Sequence, residues 1–238
     1  MSSIRERPII MSGESVRGIL AGSKCQTRRV VNRLYGIGRV TEFQRSDTPA
    51  YDWIMRDKRM LWNDFRDAEL MARCPYGITG DLLWLRETWG VGTRPDPDTG
   101  WRDGIEYRAD EYYLTREADD LPLYGVEPPA GVDLGDMANR WRSPIHMPRW
   151  ASRLNLRIAS VRVERLHDIS EEDAIAEGMT KRGVWWDAGP EWEGDGLGLT
   201  AREAFACTWG NINRKRVQWD FNPFVWVISF TVSEGGAR

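Results

Sequence analysis

The sequence predicts an α+β fold: a small mixed β-barrel flanked by short helices and interrupted by long insertions. Three observations carry that reading. Leu154, Leu156, Ile158, Val161 and Val163 alternate with polar residues, the period of a half-buried strand. The stretch "NPFVWVISFTV" near the C-terminus is apolar on both faces, which marks a central strand. Two short helical stretches each stop at a glycine, Gly22 and Gly178, where a left-handed residue closes a helix. Residues 1–238 are read as one domain, with insertions at about 32–73, 91–140 and 180–199.

The elements follow in chain order. Ser12 caps a helix over 13–21 whose Val16, Ile19 and Leu20 form one apolar stripe, and Glu14 suits its first turn. Arg28 to Val31 reads as a strand. Residues 32–73 are polar and mixed, an insertion with one helix near 63–72. In "CPYGITGDLLWLRETWG" the turn residues Pro75, Gly77 and Gly80 precede a strand over 82–89. Residues 91–140 hold 12 Asp/Glu against 5 Arg and predict an acidic surface insertion around a hairpin, with a strand in "GIEYRAD", rather than a second core. The aromatic and basic "WRSPIHMPRWASR" leads into the long strand, which is expected to break near Ala159 or Ser160. Ser170 and Asp173 resemble a capping box for a helix of barely two turns. "GVWWDAGPEWEGDGLGL" is a Gly-rich loop with three tryptophans, and a helix over about 200–210 precedes the central strand.

Composition narrows the function. The chain has 238 residues, 41% of them apolar, enough for a proper core. It has no window of about 18 apolar residues and no apolar leader, so the expectation is a cytoplasmic protein without a membrane partner. Cys25, Cys74 and Cys207 are widely spaced and odd in number, and His146 and His167 are the only histidines. Neither a disulfide framework nor a metal is expected, and no cofactor. The net charge of −3 argues against general coating of nucleic acid, yet residues 1–59 carry +6 and the remainder −9. A basic N-terminal part facing a nucleic acid or nucleotide is one reading of that asymmetry; a genome that favours arginine is the other. Only Lys24, Lys58, Lys181 and Lys215 are lysines, so a titratable amine can come from few places.

Three sets of residues can carry chemistry. Lys24 with Thr27 is the first: a lysine lowered in pKa by burial or by Arg28 and Arg29 can free a lone pair, and a threonine hydroxyl beside it can become a nucleophile. At i and i+3 the two converge only if Lys24 lies in the turn and Thr27 starts the strand; otherwise they are an exposed lysine and a strand threonine. The second is Glu177, in the last turn of a helix, where a carboxylate faces the negative end of the dipole unless a cation or proton compensates. The third is Trp84, Arg86 and Trp89 with His146, Arg149 and Trp150, which suits base stacking and phosphate pairing or, equally, a packed rim with cation–π contacts.

"ILAGSKCQTRR", "GDLLWLRETW", "SVRVERLHDISEEDAIAEGM" and "FVWVISF" resemble, in order, the blocks of the ASCH family, in the long form with "CPYG" and "HMPRWASR" common in bacteriophages and prophages. The resemblance implies a PUA-like β-barrel and a site for nucleosides or RNA. Some small members are amidohydrolases that deacetylate N(4)-acetylcytidine with a Lys, Thr and Glu triad. Carried over, those are Lys24, Thr27 and Glu177; Cys25 stands where the family has its first threonine. The resemblance implies a base-directed amidohydrolase in which Lys24 takes the Thr27 proton, Thr27 attacks the acyl carbon and Glu177 relays protons, with Arg28 or backbone N–H groups on the oxyanion. Arg28, Arg29, Trp84, Arg86, Glu87, Trp89, His146, Arg149 and Trp150 are the expected contacts to a nucleoside, RNA or DNA. A non-catalytic RNA- or DNA-binding module and a ribonuclease are the competing readings.

Overall fold

The computed structural model describes residues 4–96, 100–115, 140–187, 198–213 and 217–233. Its strands are β1 (Glu6–Ile10), β2 (Gln26–Val30), β3 (Arg33–Leu34), β4 (Gly38–Arg45), β5 (Trp53–Asp57), β6 (Trp62–Phe65), β7 (Leu82–Arg86), β8 (Trp89–Asp96), β9 (Gly100–Tyr107), β10 (Tyr112–Thr115), β11 (Asn155–Arg165), β12 (Thr180–Arg182), β13 (Trp185–Asp187) and β14 (Phe224–Val232). The α-helices are α1 (Gly13–Leu20), α2 (Asp67–Met71), α3 (Glu171–Ala176) and α4 (Ala201–Asn213). The fold is α+β and mostly sheet. Among the described residues the sheets are open, and the expected closed barrel is not formed: β1 and β2 are both end strands. No helix among them is long and apolar enough to cross a membrane.

The chain divides into two compact units: residues 1–21, 82–157 and 231–238 in one, 22–81 and 158–230 in the other. In the first, β1 runs parallel to β7, and the start of β11 pairs antiparallel with β7's other edge. The sequence reading had no strand over 6–10. Pro8 masks it, and β1 tolerates a proline because an end strand needs only one set of N–H donors. Helix α1 begins as expected, the Ser12 side chain accepting from the Ser15 N–H.

Strands β8, β9 and β10 form an antiparallel sheet over what had been read as a coreless acidic insertion. That expectation is corrected, because Trp89, Val91, Ile105, Tyr107, Met147 and Ala151 make a buried cluster with Trp150 packed against it. The apolar period was hidden by glycines on the alternate positions. A Cβ on Gly92 would stand 2.3 Å from Glu106 Oε1, and one on Gly90 3.3 Å from the Arg140 carbonyl. Residues 97–99 and 116–139 of that insertion lie outside the described residues.

In the second unit, β2 pairs antiparallel with β14 from Gln26↔Ser229 to Val30↔Val225. The rest of β11 lies on β14's other side. The expected break does not occur: Ala159 and Ser160 are both exposed, so the alternation of burial stumbles, but β11 runs on to Arg165. Residues 32–73 carry more structure than the one helix expected. Strands β3 to β6 form a four-stranded antiparallel sheet followed by α2. The inward set of β5 is Trp53, Met55 and Asp57; an acidic residue in a buried position breaks the apolar pattern a strand reading depends on. Asp57 is satisfied there by the Arg59 and Leu61 N–H groups and the Arg59 side chain. Phe43 stacks on Trp53, and both meet Phe224 edge-on. Helices α3 and α4 cover the other core, in which Leu166, Ala174, Met179, Phe205, Trp209, Val225 and Val227 are buried. The Trp- and Gly-rich loop lies mostly outside the described residues, which omit 188–197.

Candidate functional site

The geometry of the second unit begins with how α3 ends. Ser170 caps it by accepting from the Asp173 N–H. At the other end Gly178 takes φ +100°, its N–H donates to the Ile175 carbonyl and the Met179 N–H to Ala174, the paired bonds of a Schellman motif. Glu177 is the C-cap residue. The chain turns there so that Glu177 forms an antiparallel bridge with Lys24, and the Cys25 N–H donates to the Ala176 carbonyl. A Cβ on Gly178 would come within 3.3 Å of Lys24 Cβ, so "AEGM" needs glycine both for φ and for this approach.

Lys24 Nζ donates to Glu177 Oε2 at 2.8 Å and to the Glu177 carbonyl at 2.6 Å. Lys24 is 7% exposed and Glu177 6%. The cation therefore meets both the unsatisfied carbonyl and the carboxylate at the negative end of α3, which removes the electrostatic objection to Glu177 at this position.

Alternation along β2 sorts its residues onto two faces. Val30 packs with Val225 and Val227 against the helices, so Arg28, the cross-strand partner of Val227, shares that face, as does Gln26. Arg28 is the hub of a network there. Its Nη1 donates to Gln26 Oε1 at 2.5 Å and Glu177 Oε1 at 3.3 Å, and its Nη2 to Glu164 Oε1 at 2.5 Å and Asp173 Oδ2 at 2.7 Å. Arg162 closes the ring onto Glu164 and Asp173. Burial works against the Asp173 carboxylate, but the bond from Gln26 and the charges of Arg28 and Arg162 outweigh it and hold its pKa below the ordinary aspartate value. Three cations and three carboxylates thus balance, with Glu177 gripped by Lys24 on one oxygen and Arg28 on the other. Arg28 spends both terminal nitrogens inside this network, which leaves it to position Glu177 rather than to bind a substrate.

Thr27 and Arg29 lie on the opposite face, across from Ile228 and Trp226. The structure brings Lys24 and Glu177 together; among the described residues no hydrogen bond joins the Thr27 hydroxyl to either, and Thr27 is 4% exposed. The Trp226 indole N–H, fully buried on that face, makes no hydrogen bond among the described residues. Arg29 stands near Tyr76, whose phenol burial pushes up and the Arg29 charge pulls back down.

The remaining expected contacts, Trp84, Arg86, Glu87, Trp89, His146, Arg149 and Trp150, belong to the first unit. There the guanidinium groups of Arg86 and Arg149 lie 5.3 and 5.8 Å from the Trp84 ring centre. Arg149 also donates to Glu6 and Asn155, and Arg86 to the Ile145 carbonyl. Glu87 is buried against Arg153, which bridges it to Asp110; burial pushes the Glu87 carboxyl up while Arg153 pulls it down. Trp89 is buried edge-on to Trp150, and His146 is exposed. Trp84 is thus covered by cation–π contacts from Arg86 and Arg149, and Trp89 by Trp150, while His146 is open to solvent.

Sequence reasoning missed Gln26, Arg162, Glu164 and the carboxylate role of Asp173. For one pair the signal was present as parity: Arg162 and Glu164 are two apart and alternate with Val161 and Val163, whereas Gln26 and Arg28 alternate with the polar Thr27 and Arg29 and are hidden by them. Among the described residues no group of three or more His, Cys, Asp or Glu could hold a metal ion, and the three cysteines are unbridged. No protein-family model, curated protein or solved structure matches the chain.

Proposed function

We propose that this protein is a base-directed amidohydrolase that removes the acyl group from an N-acylated cytosine-type base, free or in a strand, at an ASCH-like site formed by Lys24, Thr27 and Glu177. The observation that carries the reading is the Lys24–Glu177 pair. Two residues 153 positions apart are held at 2.8 Å in a place nearly closed to solvent, and they are two of the three that the resemblance to amidohydrolases names.

A buried ammonium–carboxylate pair is suited to proton transfer, because moving one proton from Nζ to Oε2 leaves two neutral groups and removes the cost of burying charge. The neutral amine, once substrate binding brings it to Thr27, accepts the hydroxyl proton as Oγ1 attacks the acyl carbon. The carbon–nitrogen bond then breaks, and Glu177 returns its proton to the departing exocyclic amine. Lys24 and Glu177 are charged again, and water hydrolyses the Thr27 ester to the free acid. The Thr27 hydroxyl supports this role because it is committed to no other group among the described residues. With Arg28 occupied, backbone N–H groups remain to receive the oxyanion.

The test is to incubate the purified chain with N(4)-acetylcytidine, as nucleoside and within an oligonucleotide, and with longer N(4)-acyl analogues. Chromatographic appearance of cytidine is the expected result. No release from any acylated base would overturn the reaction class.

A further inference from the structure

Among the described side chains of the first unit, the exposed tryptophan is one the expected site did not include. Trp141 is 48% exposed, whereas Trp89 is buried and Trp84 and Trp150 are half-buried. Its placement is built rather than accidental. Arg142 exchanges both backbone hydrogen bonds with Trp89, so residues 140–142 lie along β8 as an added edge. The indole rests over Gly90, where a Cβ would touch the ring at 3.5 Å and crowd the Arg140 carbonyl at 3.3 Å.

Arginines surround this ring. Arg140 and Arg142 flank it in sequence, and the Arg108 guanidinium lies 6.0 Å from its centre. Arg108 and Arg140 are exposed, and neither forms an ion pair among the described residues. From residue 140 to 163 the chain carries six arginines and no acidic residue, in a protein of net charge −3. Arg149, Arg153 and Arg162 in that stretch are neutralised by carboxylates; Arg140, beside Trp141, has no carboxylate partner among the described residues. An aromatic face with uncompensated guanidinium groups at its rim is complementary to a base stacked on the ring with phosphates on either side.

We infer that Trp141, with Arg108 and Arg140, is a stacking platform for single-stranded nucleic acid, so that the ligand of this protein is a strand rather than a free nucleoside. The inference takes the base-directed character of the ligand from the reading above, but binding at Trp141 does not require catalysis at Lys24.

Fluorescence anisotropy with a labelled mixed-sequence single-stranded oligonucleotide, as RNA and as DNA, separates the two. The full chain is measured beside Trp141→Ala, Trp141→Phe and Arg108→Ala/Arg140→Ala, with an abasic oligonucleotide and a polyglutamate peptide as controls. Loss of one stacked base weakens binding by about 5- to 100-fold in Trp141→Ala. Phenylalanine should restore most of it, and the double arginine variant should bind more weakly with a shallower salt dependence. Equal binding by the parent and Trp141→Ala would overturn the inference. So would equal affinity for the abasic strand, or a polyglutamate that competes as well as the oligonucleotide. Deacylation that fails while Trp141-dependent binding persists would overturn the reaction and leave the platform standing.

Discussion

Lys24 Nζ and Glu177 Oε2 stand 2.8 Å apart, and the same ammonium bonds the Glu177 backbone carbonyl at 2.6 Å. One lysine therefore terminates a helix and pairs with its last carboxylate, so the site and the local fold are a single arrangement. The consequences for stability follow from that coupling.

Arg28 is the most heavily committed side chain of the site. Replacing it with methionine preserves volume but strands Glu164, Asp173 and Glu177 in a poorly solvated place. The expected loss is about 3–5 kcal/mol by urea unfolding, the usual cost of removing one partner from a buried ionic network. Arg162, 41% exposed in its side chain, touches two of the same carboxylates, yet Arg162→Ala should cost about 1 kcal/mol or less because water replaces the lost bonds.

Gly178→Ala tests the approach of α3 to Lys24. Alanine at φ +100° is strained by itself, and its Cβ would press on Lys24 Cβ at 3.3 Å. A loss of about 1–3 kcal/mol is expected in the same assay, together with reduced activity that Gly22→Ala, where a Cβ meets nothing within 4 Å, should not match.

Asp173 sets a pH dependence. Its folded pKa lies below the ordinary value, so the folded state binds a proton less readily than the unfolded chain. The associated stability is complete above the unfolded aspartate pKa of about 3.9 and is lost as pH falls through the lower folded value. Urea midpoints taken at about pH 5 and about pH 3 should drop more for the parent than for Asp173→Asn, whose acid limb lacks this component. An identical drop in both would mean that Asp173 gains nothing from its partners.

Much of this arrangement was legible in the sequence because it is local. Ser12, Gly22, Ser170 and Gly178 mark helix ends through backbone chemistry that depends on neighbours a few residues away, and the alternation over 154–163 and the apolar run at 224–232 give strands directly. Glu177 was legible as an anomaly of charge against a helix dipole. What stayed hidden was either glycine-masked, as in β8, or charge-masked, as at Asp57 in β5, or proline-masked, as in β1. The network around Arg28 was hidden for a different reason: its members come from β2, β11 and α3, and pairing across such separations is set by strand register rather than by spacing. Trp84, Arg86 and Arg149 show the converse limit, since a sequence of aromatic and basic residues does not distinguish a ring that stacks on internal arginines from one open to a ligand.

The central claim is that Lys24 and Glu177 transfer protons for a Thr27 nucleophile. Its most direct test is the initial rate of cytidine release from an N(4)-acetylcytidine substrate by the parent, Lys24→Met, Glu177→Gln and Thr27→Val, each first shown to be folded by circular dichroism. The account predicts that each variant loses at least about 100-fold, the lower range of a general-base contribution, and that protein quenched in acid during turnover carries an acyl group on the peptide containing Thr27 in the parent but not in Thr27→Val. A folded Lys24→Met or Thr27→Val that turns over at the parental rate would contradict it.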